Sequence, residues 1–261
     1  DFSPRAVETM KSVDFVAAED TRVSMKLMNH FDIHKPLVSY HEHNHITAGQ
    51  SILSRLLSGE SCALVTDAGT PAVSDPGEDL VRLCAENGVE VYSIPGCCAA
   101  VNALAVSGLP TGRFTFEGFL TVNRKNRKER LESLQKEERT MIFHEAPHKL
   151  RTTLDDLAEA FGADRRVALC REMTKLHEQT MRCTLGEAVE YYRENLPKGE
   201  YVLVVAGAEP QEETAVTLEE GVALVQRRKA EGVRMKEAVR EVAEHTGLSR
   251  NELYQAVLEN S

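Results

Sequence analysis

Val65-Thr66-Asp67-Ala68-Gly69-Thr70-Pro71-Ala72-Val73-Ser74-Asp75-Pro76-Gly77 is where an apolar run, Ala63-Leu64-Val65, breaks into a loop dense in glycine, proline and aspartate. A buried strand that ends this way is the usual wall of a ligand cleft in an open α/β sheet. Loops at the carboxyl ends of parallel strands carry free backbone N–H and C=O groups, and small residues allow close approach. The pattern recurs further on: Val91-Tyr92-Ser93-Ile94 reads as a second strand, and Pro95-Gly96-Cys97-Cys98-Ala99 as a tight turn opening a helix. Two such loops from neighbouring strands predict a pocket.

Outward from these loops, strand and helix patterns alternate. Upstream, Val13–Ala18 reads as a buried strand ending at Glu19-Asp20-Thr21-Arg22, with a helix to about Asn29. Leu37–Tyr40 leads into His41-Glu42-His43-Asn44-His45 and a helix from Ile46 to Leu57. Helices near Asp79–Glu86 and Ala99–Val106 complete a βαβ series, hence a mostly parallel sheet in an N-terminal domain, 1–112, closed by the punctuation Gly108-Leu109-Pro110-Thr111-Gly112. Downstream come strands at Phe114–Leu120, Met141–Phe143, Val167–Cys170 and Tyr201–Val205. A basic helix from Arg124 and helices near Lys149–Phe161 and Glu187–Asn195 lie among them, so 113–210 reads as a second α/β domain. From Thr214 the pattern is purely helical, with capping boxes at Thr217–Glu220 and Ser249–Glu252 and Gly247 in the last turn. Residues 214–261 form a small helical domain whose end, Met235 to Leu258, has helix-turn-helix proportions.

A chain of 261 residues suits two domains and an appendage, and 42% apolar with 28% charged residues is ordinary globular composition. No apolar run has the length of a membrane span. The chain opens on Asp1 rather than Met, so a removed N-terminal segment is not readable from it. Six scattered cysteines without C-x-x-C spacing read as thiols of a reducing compartment, which places the protein in the cytoplasm. A net charge of −10 argues against a broadly basic nucleic-acid binder and confines any RNA contact to a local patch.

Several motifs compete for chemistry. None of the 16 glycines lie two apart and no Gly-Lys-Ser/Thr occurs, so dinucleotide and P-loop readings fall away. His41, His43 and His45 have a spacing that zinc accepts on one face of a strand, but no Cys partner or His-Glu-x-x-His helix supports them. A hydrogen-bonded cluster on a cleft wall is the plainer reading, and no metal is expected. Arg124-Lys125-Asn126-Arg127-Lys128-Glu129-Arg130 is the densest basic run, read either as a solvated helix face or as a cleft-lining phosphate grip. Arg171-Glu172-Met173-Thr174-Lys175-Leu176-His177-Glu178 follows a buried strand and crowds ionisable groups, as a proton-transfer site or an ion-pair network would.

Taken in order, Ala18-Glu19-Asp20-Thr21-Arg22, Tyr40-His41-Glu42-His43-Asn44, the Thr66–Gly77 loop, Ile94-Pro95-Gly96, Ser107–Thr111, Phe116-Glu117-Gly118-Phe119-Leu120, Arg171–Glu178 and Gly199-Glu200-Tyr201-Val202-Leu203 resemble the bacterial small-subunit ribosomal RNA cytidine 2′-O-methyltransferases of the tetrapyrrole methylase superfamily. The resemblance implies two α/β lobes with S-adenosylmethionine in the cleft between them, a homodimer, and methylation of a cytidine ribose in 16S ribosomal RNA. By position, it makes Asp67, Ala68, Gly69, Thr70, Pro71, Val73, Ser74 and Asp75 one cofactor loop and Pro95, Gly96, Cys97, Cys98 and Ala99 the second. His144 and Glu145 become the wall from the second lobe, with His144 where the family has Tyr and Cys where its second loop has a small Ser-type residue. Family members carry a further strand and a Gly-Asn-Leu loop ahead of the segment matching Asp1–Ala6, so the first domain is expected without that strand.

Mechanistically, Glu172, Lys175, His177 and Glu19 are the candidates for the general base or its orienting partner. Arg22, Arg124, Lys125, Arg127 and Lys128 are the candidates for gripping RNA phosphates. Two other functions fit parts of the pattern. A tetrapyrrole (precorrin) C-methyltransferase shares the fold but leaves the basic run and helical tail unexplained. A ligand-sensing helix-turn-helix regulator would use Thr246–Tyr254, which offers few cations for phosphate.

Overall fold

The computed structural model describes residues 1–67, 69–209 and 216–259, which divide into two compact units, Asp1–Gly207 and Ala208–Ser261. The points at which the pattern ends the second domain and starts the third, 210 and 214, lie outside the described residues.

The first unit opens with α1 (Pro4–Ser12), capped by the Ser3 hydroxyl on the Ala6 N–H, and β1 (Phe15–Ala18). Then come α2 (Thr21–His30), β2 (Leu37–Ser39), α3 (His45–Leu57), β3 (Cys62–Val65), α4 (Gly77–Glu86) and α5 (Ala99–Ser107). The three strands form a parallel sheet in the order β2-β1-β3. Every residue of β1 is buried, because helices cover both faces of a parallel sheet. Phe15 and Ala17 face Tyr40, Ile52, Leu80 and Cys84, while Val16 faces Met10, Met28 and Ile33.

One expectation fails. Val91–Ile94 forms no strand: the segment runs without ladder bonds, with Val91 52% and Tyr92 74% exposed. An apolar β-branched run becomes a strand only where a neighbour supplies hydrogen bonds. Among the described residues β3 pairs with β1 alone and turns its other edge to no strand.

The other half of this unit runs β4 (Phe114–Phe119), α6 (Arg124–Leu134), β5 (Thr140–Glu145), α7 (Leu150–Phe161), β6 (Arg166–Arg171), β7 (Gln179–Thr184), α8 (Leu185–Glu194) and β8 (Tyr201–Val205). Its sheet has the order β4-β5-β8-β6-β7, parallel only between β4 and β5. Met141, Phe143, Leu169 and Leu203 build a core with Leu131, Leu134, Leu150, Leu154 and Leu185 of α6, α7 and α8. The opposite face, Ile142, Ala168, Cys170, Val202 and Val204, packs against Ala100, Ala103 and Leu104 of α5. The Gly108–Gly112 turn therefore does not part α5 from the second sheet. Small residues on one side of α5 let it lie flat on these strands, and Gly108 ends it in the left-handed conformation at φ 75°.

The second unit contains α9 (Leu218–Ala230), α10 (Met235–Thr246) and α11 (Arg250–Glu259) around Val225, Val239, Val242, Leu253 and Val257. Thr217 and Glu220 close a reciprocal capping box, and Gly247 caps α10 at φ 72°. No helix among the described residues is long and apolar enough to cross a membrane.

Candidate functional site

The loop after β3 owes its shape to Asp75. Its carboxylate accepts the Ala72 N–H at 3.0 Å and the Gly77 N–H at 2.7 Å, drawing the chain into a hairpin in which Ala72 (φ 65°) and Ser74 (φ 61°) are held in the left-handed region. Non-glycine residues rarely sit there unless their surroundings impose it. Gly77 is obligatory, since a Cβ would lie 2.7 Å from the Asp75 Oδ1 and 2.9 Å from the Ala72 nitrogen. Beneath, buried Tyr40 donates its hydroxyl to the Pro76 carbonyl at 2.8 Å.

This loop meets the other candidate segments. Thr70 donates its hydroxyl to the Cys97 carbonyl at 3.0 Å, joining the two sequence-identified loops. Ser74 reaches Gly118 on β4: a Cβ on that glycine would lie 3.5 Å from the Ser74 Oγ. Space around Gly69 and Gly96 is open to 4 Å from the position a Cβ would take, so backbone there is accessible to a ligand. Val73 is exposed, and Pro71 packs inward beside Glu19 and Thr66. Cys98 is the N-cap of α5 without a side-chain cap bond, and Ala99 begins the helix. Pro95 lies in the open segment before it. Ala68 lies outside the described residues.

His144 lies where β5 ends, its ring edge-on to Phe116 at 5.2 Å and Phe119 at 5.5 Å. Its Nε2 is buried without a hydrogen-bond partner among the described residues. Burial lowers its pKa, against an opposing pull from Glu200. Burial thus favours the neutral imidazole, and its buried nitrogen is left unsatisfied by the described residues. Because the folded pKa is depressed, this group adds stability that is complete above the unfolded value of about 6.5 and is lost as pH falls through the folded value. Denaturant midpoints are expected to drop between pH 7.5 and 5, and His144→Phe is expected to flatten that part of the profile.

Glu145 is placed differently from its assigned part in the cleft wall. Its carboxylate, 3% exposed, accepts from the Ala146 N–H at 2.8 Å and from the Thr153 hydroxyl, and Thr153 in turn accepts from Arg127 Nη2 at 2.8 Å. Arg127 is likewise not a free phosphate grip. Its side chain is only 11% exposed and its Nε donates to Asp156. The reason is helical period: Arg127, Leu131 and Leu134 share the inward face of α6. Arg124, Lys125 and Lys128 lie on the exposed face, the two lysines within 3.9 and 3.8 Å of Glu129 and Glu132.

The ionisable cluster after β6 is a locked turn. Glu172, at φ 51°, accepts the Glu200 N–H and Lys175 Nζ, each at 2.9 Å, and Lys175 also donates to Glu200 at 2.9 Å. Gly199 is required because a Cβ would fall 2.4 Å from the Glu172 Cγ. The Glu200 N–H and Lys175 lower the Glu172 pKa, and Glu200 and Glu172 raise that of Lys175, so neither group is poised to take a proton near neutrality. His177 is exposed next to Leu176, which is 93% exposed. The turn still borders the second loop, for Cys97, Asn102, Met173, Thr174 and Glu178 line one open cavity of about 470 Å³.

At the end of β1, Glu19 accepts the Thr66 hydroxyl at 2.7 Å and faces the Asp67 N–H at 3.5 Å. Burial and the Glu19 charge raise the Asp67 pKa. Arg22, exposed, forks onto Asp20 with 3.0 and 2.6 Å bonds, which hold that carboxyl well below the usual range. The histidines do not alternate on a strand, since β2 ends at Ser39. His41 accepts the His43 N–H, and His45 lies between the Glu42 carbonyl at 2.7 Å and Asp79 at 3.4 Å. Among the described residues no three His, Cys, Asp or Glu side chains converge as a metal site would need.

Comparison with known proteins adds to this geometry. Residues 1–189 match the family described as Tetrapyrrole (Corrin/Porphyrin) Methylases, and residues 218–261 match the RsmI C-terminal HTH domain. A Synechocystis protein named ribosomal RNA small subunit methyltransferase I is 48% identical over 99% of this chain and 93% of its own length. Proteins of the same name from Pseudomonas aeruginosa and Bacillus subtilis are 42% and 41% identical, covering 92% and 89% of their lengths and 99% and 98% of this chain. Among solved structures, the methyltransferase CobJ matches with a TM-score of 0.58 at 18% identity, over 79% of this chain and 88% of its own. Diphthine synthase matches with a TM-score of 0.59 at 15% identity, over 78% and 84%. These last two share the fold.

Proposed function

Since the chain belongs to the tetrapyrrole methylase family, we propose that it transfers the methyl group of S-adenosylmethionine to the ribose 2′-hydroxyl of a cytidine in 16S ribosomal RNA, working as a cytoplasmic homodimer. One observation carries the reading. The joined loops Thr66–Gly77 and Pro95–Ala99 reach β4 where Ser74 approaches Gly118, next to the Phe116 and Phe119 rings that flank His144, and from β4 the chain runs straight into the exposed cations Arg124, Lys125 and Lys128. The names of relatives that span both units point to ribosomal RNA.

Bound S-adenosylmethionine supplies a methyl group already activated by its cationic sulfur. The residues around it have two tasks. The Asp67–Asp75 loop, the Pro95–Ala99 turn and His144 would hold the donor, and the same walls would orient the ribose toward it. Positioning of this kind supplies about 7–11 kcal/mol of a barrier. The 2′-oxygen must also lose a proton, and the carboxylates of Glu19 and Asp67 are the pair beside the donor loop that takes it, a contribution of about 10²–10⁴-fold. Glu172 and Lys175 serve as positioning residues for the neighbouring turn. The exposed face of α6 and Arg22 grip phosphates.

The test offers labelled donor to unmodified small ribosomal subunits and, in parallel, to a precorrin. Label in 16S RNA at a nucleotide that resists alkaline cleavage supports the reading; label only in the macrocycle overturns it.

A further inference from the structure

We infer that Phe119 is a stacking platform for an unpaired RNA base at the mouth of the cleft. This rests on the RNA reading above. The argument starts from strand geometry. Residues three apart on an unbroken strand point to opposite faces, so Phe116 and Phe119 belong on different sides of β4. The pairing with β5 slips at this point: Phe116 lies opposite Ile142, Gly118 opposite Phe143 and Phe119 opposite His144. Glu117 is the extra residue of a bulge, and Gly118 takes the strain at φ 63°. A bulge re-aims the side chains beyond it. Here it brings Phe119 to the face of Phe116, so that both rings meet His144. The Glu117 side chain, 3% exposed, turns away and pairs with Arg130 of α6, which fixes the bulge.

The result is an aromatic that packing alone does not explain. Phe116 is half-buried and Leu120 is buried, yet Phe119 is 59% exposed and Val122 beyond it 74%. On one side lies the Thr66–Gly77 loop, whose Ser74 meets Gly118. On the other, four residues separate Phe119 from Arg124 and five from Lys125, both exposed. A flat apolar ring flanked by backbone-gripping cations is how proteins hold single-stranded nucleic acid, because every base presents a π-face whatever its sequence. A ribose can reach a methyl donor only when its nucleotide leaves the helical stack, and the ring offers the displaced base a new partner.

The chain contains no tryptophan, so Phe119→Trp installs a single fluorescent reporter at the platform. Unmodified 16S RNA or small subunits are added to F119W, with binding followed independently by filter retention. Saturable quenching of the indole that rises in step with the retained RNA is the expected result. F119A and F119L are expected to raise KM for the RNA substrate tenfold or more, with donor affinity, measured by calorimetry, within twofold of wild type. Retained RNA without quenching, or F119L matching wild type, overturns the platform and leaves the functional reading standing. No retained RNA at all removes both.

Discussion

Replacing Asp75 by alanine is expected to weaken donor binding about a hundredfold while leaving most of the fold in place. The carboxylate holds the Ala72 and Gly77 N–H groups and thereby keeps Ala72 and Ser74 at positive φ. Hydrogen bonds to a charged acceptor contribute about 1.5–3 kcal/mol each, and a non-glycine residue in the left-handed region costs on the order of 1 kcal/mol or more. Without the acceptor, nothing in the hairpin offsets that strain, and the loop relaxes to ordinary backbone angles. A loss of roughly 3 kcal/mol in the populated shape corresponds to about a hundredfold in affinity. Calorimetric titration of D75A with S-adenosylmethionine should show at least that weakening, with the circular-dichroism spectrum unchanged. Asp75→Asn, which retains one carbonyl acceptor, should fall between. Affinity within threefold of wild type in D75A would mean that this loop is not the cradle.

Within the basic run, alanine at 127 and alanine at 124, 125 or 128 are expected to do opposite things. Removing Arg127 strips Asp156 and Thr153 of their partner and leaves the Glu145 carboxylate, 3% exposed, in a broken network. The loss of one member of a buried charged network costs about 3–5 kcal/mol. Since Asp156 is partly exposed at 32%, a value near 2–4 kcal/mol is expected for R127A, read as a lower urea midpoint. Arg124, Lys125 and Lys128 face solvent, so each single alanine should change stability by less than about 0.5 kcal/mol. Their joint neutralisation should instead weaken RNA binding and flatten its salt dependence, by about 0.7 in log–log slope for each phosphate released. Equal stability of R127A and R124A would contradict the inward placement.

How much of this was readable beforehand depended on where each signal resides. An apolar run that ends in a Gly-Pro-Asp loop, as at β3, declares a strand and the turn that closes it, although β3 is only half-buried, and the helical second unit shows itself through the Thr217–Glu220 cap. The strand Gln179–Thr184 carries little sequence signal because it is an edge strand. Its polar residues alternate with Met181 and Cys183, which pack on the core, so no continuous apolar run marks it. A period-two reading would have found it. Val91–Ile94 has the opposite problem: propensity without a neighbour makes no ladder. The resemblance puts Glu145 in the cleft wall and the basic run puts Arg127 among the phosphate grips, and only three-dimensional pairing shows them joining α6, α7 and β5. The four-residue step from Arg127 to Leu131 was the available hint. The Phe116–Phe119 arrangement is invisible to any periodicity, because it arises from a slip in pairing between two strands.

The seating of α5 gives the pocket an uneven mechanical support. This helix follows the first sheet in the chain but rests on the second, so the Pro95–Ala99 turn at its head travels with β5, β6 and β8, whereas the Thr66–Gly77 turn travels with β3. Shear between the halves therefore falls on few contacts, among them the Thr70 hydroxyl bond to the Cys97 carbonyl, of about 1 kcal/mol, and the Arg5 bond to the Ser93 carbonyl. A molecule bridging both turns would act as a rivet across that seam, stiffening the two halves together for as long as it stays.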